Sequence, residues 1–152
     1  MYDDLKEYVV EKEFENNGKK HVFYRVKEEE IIYAESRMKI DFPKELREFL
    51  SQIGYGYFYD KDECFIDLLM NPKRIADFRC GEGDYFYAEE REFLKSEDLV
   101  FFEVDSNCHI CLKIGGEDEG KVFLGKRRIA QSFGEFIGKI SIESNYFFEK
   151  SS

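Results

Sequence analysis

Apolar residues recur at helical spacing in one segment of the chain more clearly than in any other. After Pro43, the spacing i, i+3, i+4 and i+7 is occupied by Leu46, Phe49, Leu50 and Ile53. Asp41 and Pro43 supply a capping carboxylate and a proline at the start of this segment, and Gly54 follows its last apolar residue. The pattern predicts a helix with one buried face.

Weaker versions of the same pattern predict further helices. Asn16-Asn17-Gly18 ends the first of them, and Asn71-Pro72 repeats the combination of a capping side chain and a proline. These helices cover residues 2–15, 27–38 and 73–78, and a closing segment that carries Ile129, Phe133, Phe136, Ile137 and Ile140 on one face.

Short segments rich in β-branched and aromatic residues lie between the helices. They predict strands over residues 21–26, 55–59, 65–69, 99–104, 109–114 and 121–124. Turns such as Asp60-Lys61-Asp62 and Ser106-Asn107 join consecutive strands, and strands joined in this way pair antiparallel. The order predicts an α+β fold, an antiparallel sheet of sequential strands with helices packed mainly on one face. Its predicted core includes Leu46, Phe49, Leu50, Ile53, Phe101, Phe133, Phe136 and Ile137.

Composition agrees with a compact domain. The 152 residues are the size of one ordinary domain, spanning 1–152, and 43% of them are hydrophobic, which is too apolar for a disordered chain. There is no apolar run long enough for a membrane span and no signal-peptide pattern at Met1-Tyr2-Asp3-Asp4. We therefore expect a cytoplasmic protein with reduced cysteines.

Charge narrows the choice of partner. The chain has 33 acidic and 23 basic residues, which gives a net charge of −10. A surface of this sign repels nucleic-acid backbones and anionic membranes and suits a basic partner, although the same charge also serves solubility alone.

One constellation resembles a metal site, Cys108-His109-Ile110-Cys111. It falls in a predicted strand, where residues three apart point to opposite faces, whereas zinc-binding pairs sit on turns. The remaining cysteines, Cys64 and Cys80, form no second close pair. We expect no metal and no cofactor, with the cysteines packing as small hydrophobic side chains.

Catalytic signatures are absent from the sequence. The chain has two histidines and no Gly-x-Ser-x-Gly pattern. The glycine-bearing segments 81–83 and 115–120 are rich in acids, which repel phosphate, so they do not predict a nucleotide site. The protein is therefore predicted not to be an enzyme.

Tyrosines beside acidic residues predict a surface for a protein partner. Residues 55–90 carry nine acidic and four basic side chains, half of the net charge, and interleaved tyrosines suit interfaces although each of them also suits a core. The predicted partner-binding residues are Tyr57, Tyr59, Asp60, Asp62, Glu82, Asp84 and Tyr85, with Glu117, Asp118 and Glu119 as an alternative patch. We expect this strand-and-loop region, and not the backs of the helices, to contact the partner.

The order of these elements resembles a known family. The segment 31–56, IIYAESRMKIDFPKELREFLSQIGYG, is similar to the opening of the SUKH superfamily, which includes yeast cell-wall assembly regulators of the Knr/Smi type and bacterial immunity proteins. Segments 69–75, 99–102, 120–122 and 129–137 resemble later elements of the family, so the resemblance covers about residues 27–140. The chain differs in lacking tryptophan and in its extra predicted N-terminal helix.

The resemblance implies a function as well as a fold. Bacterial members commonly act as immunity proteins that bind and neutralise a toxin domain, often a nuclease, and the family has no shared catalytic centre. It therefore implies a cognate toxin protein, here a basic nuclease domain, as partner. The alternative is a regulatory or scaffolding module that binds a signalling or cell-wall-assembly partner.

Overall fold

The computed structural model describes residues 2–11, 20–58, 67–83, 94–104, 108–143 and 146–147. Its helices are α1 (Glu28–Met38), α2 (Lys44–Gln52), α3 (Pro72–Cys80) and α4 (Phe133–Ile142), and a 3-10 helix covers Asp3–Tyr8. Its strands are β1 (Val9–Val10), β2 (Val22–Tyr24), β3 (Tyr55–Phe58), β4 (Asp67–Leu69), β5 (Asp98–Val104), β6 (Cys108–Lys113), β7 (Val122–Leu124) and β8 (Arg127–Ala130).

The strands form one sheet in the order in which they occur along the chain. From β2 to β8 every neighbouring pair is antiparallel, and β1 alone pairs parallel, with β2. This confirms the predicted α+β fold with sequential antiparallel strands. The predicted turns at 60–62 and 106–107 lie outside the described residues.

Aromatic rings join α2 and α4 to one face of the sheet. The ring of Phe49 in α2 lies 5.9 Å from that of Phe23 in β2 and 5.7 Å from that of Phe133 in α4. Phe136 contacts Phe102 of β5 edge to face, at 5.1 Å between ring centroids. The predicted core is confirmed, because all of its members are buried: Leu46, Phe49, Leu50, Ile53, Phe101, Phe133, Phe136 and Ile137.

α3 contacts the opposite face of the central strands. Phe102 and Glu103 are consecutive in β5, so their side chains point to opposite faces. Arg74 of α3 lies 3.4 Å from the Glu103 carboxylate, and the Phe78 ring lies 4.8 Å from that of His109. α1 packs chiefly against α3 and thus lies near this second face. The helices therefore cover both faces of the sheet, which corrects the prediction that they pack mainly on one face, because an apolar stripe shows that a helix has a buried side but not which face of the sheet covers it.

Local signals explain where the helices begin and end. The Asn71 side chain accepts the backbone N–H of Arg74 at 2.7 Å, which confirms the predicted start of α3. Gly54 has a φ of +119°, and a Cβ there would lie 1.9 Å from the Tyr24 carbonyl oxygen, so only glycine fits. The predicted capping role of Asp41 is wrong, because Pro43 is the N-cap of α2 and no side chain bonds to that end.

The two ends of the sheet differ from the sequence-based expectation. Within the predicted helix over 2–15, Asp3–Tyr8 is 3-10 and Val9–Val10 is a strand, because paired β-branched residues favour an extended backbone and find a partner in β2. Ile129 belongs to β8 and not to the closing helix. That helix begins after Ser132, whose hydroxyl accepts the N–H of Glu135 at 3.0 Å.

Candidate functional site

The predicted partner-binding residues divide into two groups. Tyr57, Glu82 and the patch 117–119 lie in the described part of the chain. The others lie outside the described residues: Tyr59, Asp60, Asp62, Asp84 and Tyr85. The described part of the predicted binding surface therefore consists of the first group and its neighbours.

Tyr57 lies in a strip of tyrosines on β2 and β3. Alternation along β3 places Tyr55 and Tyr57 on one face, while Phe58 points to the other face and is buried. Tyr55 is the direct cross-strand partner of Tyr24, and their ring centroids lie 5.4 Å apart. All three tyrosines are half-buried, so one side of each ring packs and the other remains accessible.

α1 stands beside this strip and adds a fourth tyrosine. Tyr33 is 65% exposed because it lies off the buried stripe of α1 that Ile31, Ala34 and Met38 form. Together with Tyr24 and Tyr55 it lines a groove of ≈ 620 Å³ that also reaches the first residues of α3. A cleft of this size, with aromatic walls and polar rims, is typical of a binding site.

An ion-pair network holds Glu82 at one end of α1. The Arg37 guanidinium lies 2.8 Å from Asp77 and 2.8 Å from Glu82, and Lys73 lies 2.9 Å from Asp77. Burial opposes ionisation of Asp77, but the hydrogen bonds from Lys73 and Arg37 outweigh it and lower the pKa of this carboxyl. Arg37 lies one turn beyond Tyr33, so α1 carries both the arginine that holds Glu82 and a tyrosine of the groove.

The start of α1 is acidic as well. Glu28 lies 2.7 Å from Arg47, and the Glu30 carboxylate accepts the backbone N–H of Lys27 at 2.9 Å. Hydrogen bonds to Glu28 and then to Glu35 raise the pKa of Arg47. Glu28, Glu29 and Glu30 are all exposed. Three acids are favourable in this first turn because carboxylates interact well with a helix N-terminus.

The alternative patch lies elsewhere on the sheet. Glu117 and Glu119 are exposed in the loop between β6 and β7, and Asp118 is paired with Lys121 at 3.3 Å. In the strand order, β4 and β5 separate β6 from the Tyr57 strand. The structure therefore does not bring the patch 117–119 together with Tyr57.

The suspected metal motif lies in β6. Cys108 is half-buried and Cys111 is buried. His109 Nε2 lies 3.1 Å from the Glu103 carboxylate, which Arg74 also contacts. Among the residues that the structure describes, no three metal-binding side chains cluster, and no helix has the length and apolar character that crossing a membrane needs.

Sequence reasoning missed Tyr24, Ile32 and Tyr33. Ile32 and Tyr33 carried a usable signal, because an apolar pair outside the buried stripe of an amphipathic helix must face solvent or a partner. No such signal existed for Tyr24, because only the pairing of β2 with β3 places it beside Tyr55.

Comparison with known proteins gives two matches. Residues 28–137 match the model of the SUKH_6 family, described as SMI1-KNR4 cell-wall. The chain is also 25% identical over 139 residues to a protein of Bacillus subtilis (strain 168) named Immunity protein YxxD, covering 90% of this chain and 94% of that protein. No solved protein structure matches the chain.

Proposed function

This chain belongs to the SUKH family, and on that basis we propose that it is an immunity protein that binds and neutralises a cognate toxin. The observation that carries the proposal is its similarity to the Bacillus subtilis immunity protein, which extends over nearly the whole of both chains. Family membership by itself implies the fold, and fold alone does not determine function.

The toxin in this proposal is a basic nuclease domain. A nuclease holds its substrate in a cationic groove, and a protein with a net charge of −10 can occupy such a groove in place of nucleic acid. Complementary charge also accelerates association, which matters for a protein that must capture a toxin before it reaches nucleic acid. The proposed mode of action is binding in the cytoplasm without catalysis.

The proposed contact surface includes the predicted acidic and aromatic residues. Glu82 and Tyr57 support it, because Arg37 holds Glu82 in place and Tyr57 continues the strip of half-buried tyrosines. Tyrosine supplies a large contact area at a small loss of side-chain entropy, and the acids supply steering.

Co-expression tests the immunity role. Cells that produce the cognate toxin should grow only when the chain is also produced. A core variant that does not fold, such as the double change of Phe49 and Phe136 to alanine, should give no protection. Toxin activity that is undiminished by the wild-type chain would contradict the proposal.

Titration separates binding from catalysis. Under tight binding, purified chain should abolish the activity of the toxin domain once the two are equimolar, since each molecule blocks one toxin. An enzyme that modifies the toxin would act at far lower ratios. Complete inhibition by a small substoichiometric amount would therefore overturn the non-catalytic mode.

A regulatory or scaffolding module is the second candidate, because the family is described by reference to the cell wall. Purification of tagged chain from its own cells distinguishes the two. Stable recovery of a cell-wall-assembly or signalling protein, together with absence of toxin binding, would favour this candidate.

A further inference from the structure

The outer face of α1 exposes apolar side chains between acidic ones. We propose that this ridge, formed by Glu28, Glu29, Ile32 and Tyr33, anchors the toxin, with Ile32 and Tyr33 as the residues that dominate its affinity. The occupant is a basic face of the toxin that presents an apolar or aromatic side chain flanked by lysine or arginine. This inference rests on the proposed immunity function and adds a helix face to the proposed contact surface, in contrast to the sequence-based expectation that the partner avoids the backs of the helices.

Exposure sets Ile32 and Tyr33 apart. Across the described ranges, the exposed large hydrophobic residues are Ile32 at 53%, Tyr33 at 65% and Ile142 at 80%. Two of the three are thus neighbours on one helix. Packing of α1 does not require them, because Ile31 and Ala34 fill the buried side of the helix. Adjacent exposed apolar residues rimmed by charge are typical of protein interfaces.

The ridge lies between two grooves. On one side Tyr33 borders the ≈ 620 Å³ groove that Tyr24 and Tyr55 also line. On the other side Ile32 borders a groove of ≈ 390 Å³ together with Ile40. A partner side chain entering either groove would bury one flank of the ridge, and such central, desolvated positions are where binding energy concentrates.

Charge selects a basic occupant. α1 carries four glutamates and a single arginine. Arg47 of α2 pairs with two of them, Glu28 and Glu35, and the exposed first turn keeps an excess of acids through Glu29 and Glu30. Two of the described cations that border the larger groove are engaged, since Arg25 lies 3.8 Å from Glu11 and Lys73 lies 2.9 Å from Asp77, while Lys27 is exposed at its edge. Arg37 is likewise held between Asp77 and Glu82.

The same charge disfavours a second copy of this chain on the ridge. A symmetric dimer would place the patch against itself and bring two sets of glutamates together.

A purely structural role of the acids at the helix N-terminus would explain the glutamates alone, because carboxylates stabilise that end of a helix. That structural role gives no reason for the exposure of Ile32 and Tyr33 in the next turn.

Lysine substitutions test the ridge. Ile32→Lys and Tyr33→Lys each remove an apolar anchor and add a charge that repels a basic partner, while Ile142→Lys makes the same change at an exposed residue of α4. The probe is the catalytically inactivated domain of the toxin against which the chain protects cells, and its affinity is measured by calorimetry. Each ridge variant should bind at least about 10-fold more weakly than the wild type, as loss of an interface hot spot does. Ile142→Lys should bind as the wild type does, and thermal melts should show that all three remain folded.

The outcomes separate the two proposals. A wild-type chain that does not bind the toxin domain overturns the immunity function and, with it, the ridge. Wild-type binding that the ridge variants retain in full overturns the ridge alone. Equal weakening by Ile142→Lys would attribute the effect to overall charge and also overturn the ridge. A wild-type dimer that Tyr33→Lys dissociates without changing toxin affinity would assign the ridge to a second copy.

Discussion

At the scale of single residues, buried aromatic side chains join α2 and α4 to the sheet. Phe49 and Phe136 are fully buried; Phe49 contacts rings of β2 and α4, and Phe136 contacts a ring of β5 and that of Tyr146. Replacing either by alanine should lower the free energy of unfolding by about 3–5 kcal/mol, because the change leaves a cavity in a closed core. Urea denaturation measures this, with Ile142→Ala as an exposed control that should change little. A loss below about 1 kcal/mol for both core variants would contradict the assignment.

His21 makes stability depend on pH. Burial, assisted by the neighbouring Lys20, lowers the pKa of His21 from 6.5 to about 4. Between these values the unfolded chain binds a proton that the folded chain does not, so the free energy of unfolding falls as pH falls. From about pH 7.5 to about pH 5 the wild type should lose about 1–2 kcal/mol more than His21→Gln, measured by denaturation at both pH values. Equal losses in the two proteins would show that His21 is not responsible.

At the scale of elements, α3 begins at a capping side chain and ends at a glycine. The Asn71 side chain holds the first turn, and Gly81 closes the helix with a φ of 69°. Asn71→Ala should destabilise the protein by about 1 kcal/mol, since it leaves a helix N–H without its acceptor. Asn71→Asp keeps the acceptor and should retain the wild-type stability in a thermal melt. If both variants melt together below the wild type, the cap does not account for the loss.

α1 packs in the core and also carries residues of the proposed contact surface. Its inner stripe packs in the core, Arg37 ties it to Asp77 of α3, and its outer side carries Tyr33. One helix therefore positions both Glu82 and the groove. This arrangement adds a helix to the tyrosines of β2 and β3 that line the groove, although the sequence alone directed attention to strands and loops.

At the scale of the whole molecule, we expect the distribution of the acids to set the association rate of the proposed basic toxin. Reversing Asp60, Asp62, Glu82 and Asp84 to lysine should slow association and reduce protection, because screened charges act mainly on the rate of encounter. Reversal of Glu117, Asp118 and Glu119 is the matched comparison, since it changes the alternative patch. Stopped-flow association rates at low and moderate salt measure both variants.

The fold should tolerate these reversals, because charges in predicted loops contribute little stability. If the first variant folds and protects fully at ordinary expression, the interface lies elsewhere. If reversal of Glu117, Asp118 and Glu119 reduces the association rate and the protection more than the first variant does, the interface is assigned to the loop between β6 and β7.

Local pattern by itself determined much of this protein. Helical spacing identified α2 and its buried face, the Asn71-Pro72 pair identified the start of α3, and the order of elements identified the family. These features depend on residues within one or two turns of each other, which periodicity and capping report directly.

Tertiary structure decided what local pattern does not encode. β1 is a strand because β2 lies beside it, and Tyr24 belongs to the groove because β3 pairs with β2. Glu82 is held in place because α1 and α3 bring Arg37 to it across 45 positions of sequence. Pairing and ion contacts of this kind join segments that are distant along the chain, and their free energy arises only when the fold brings both partners together.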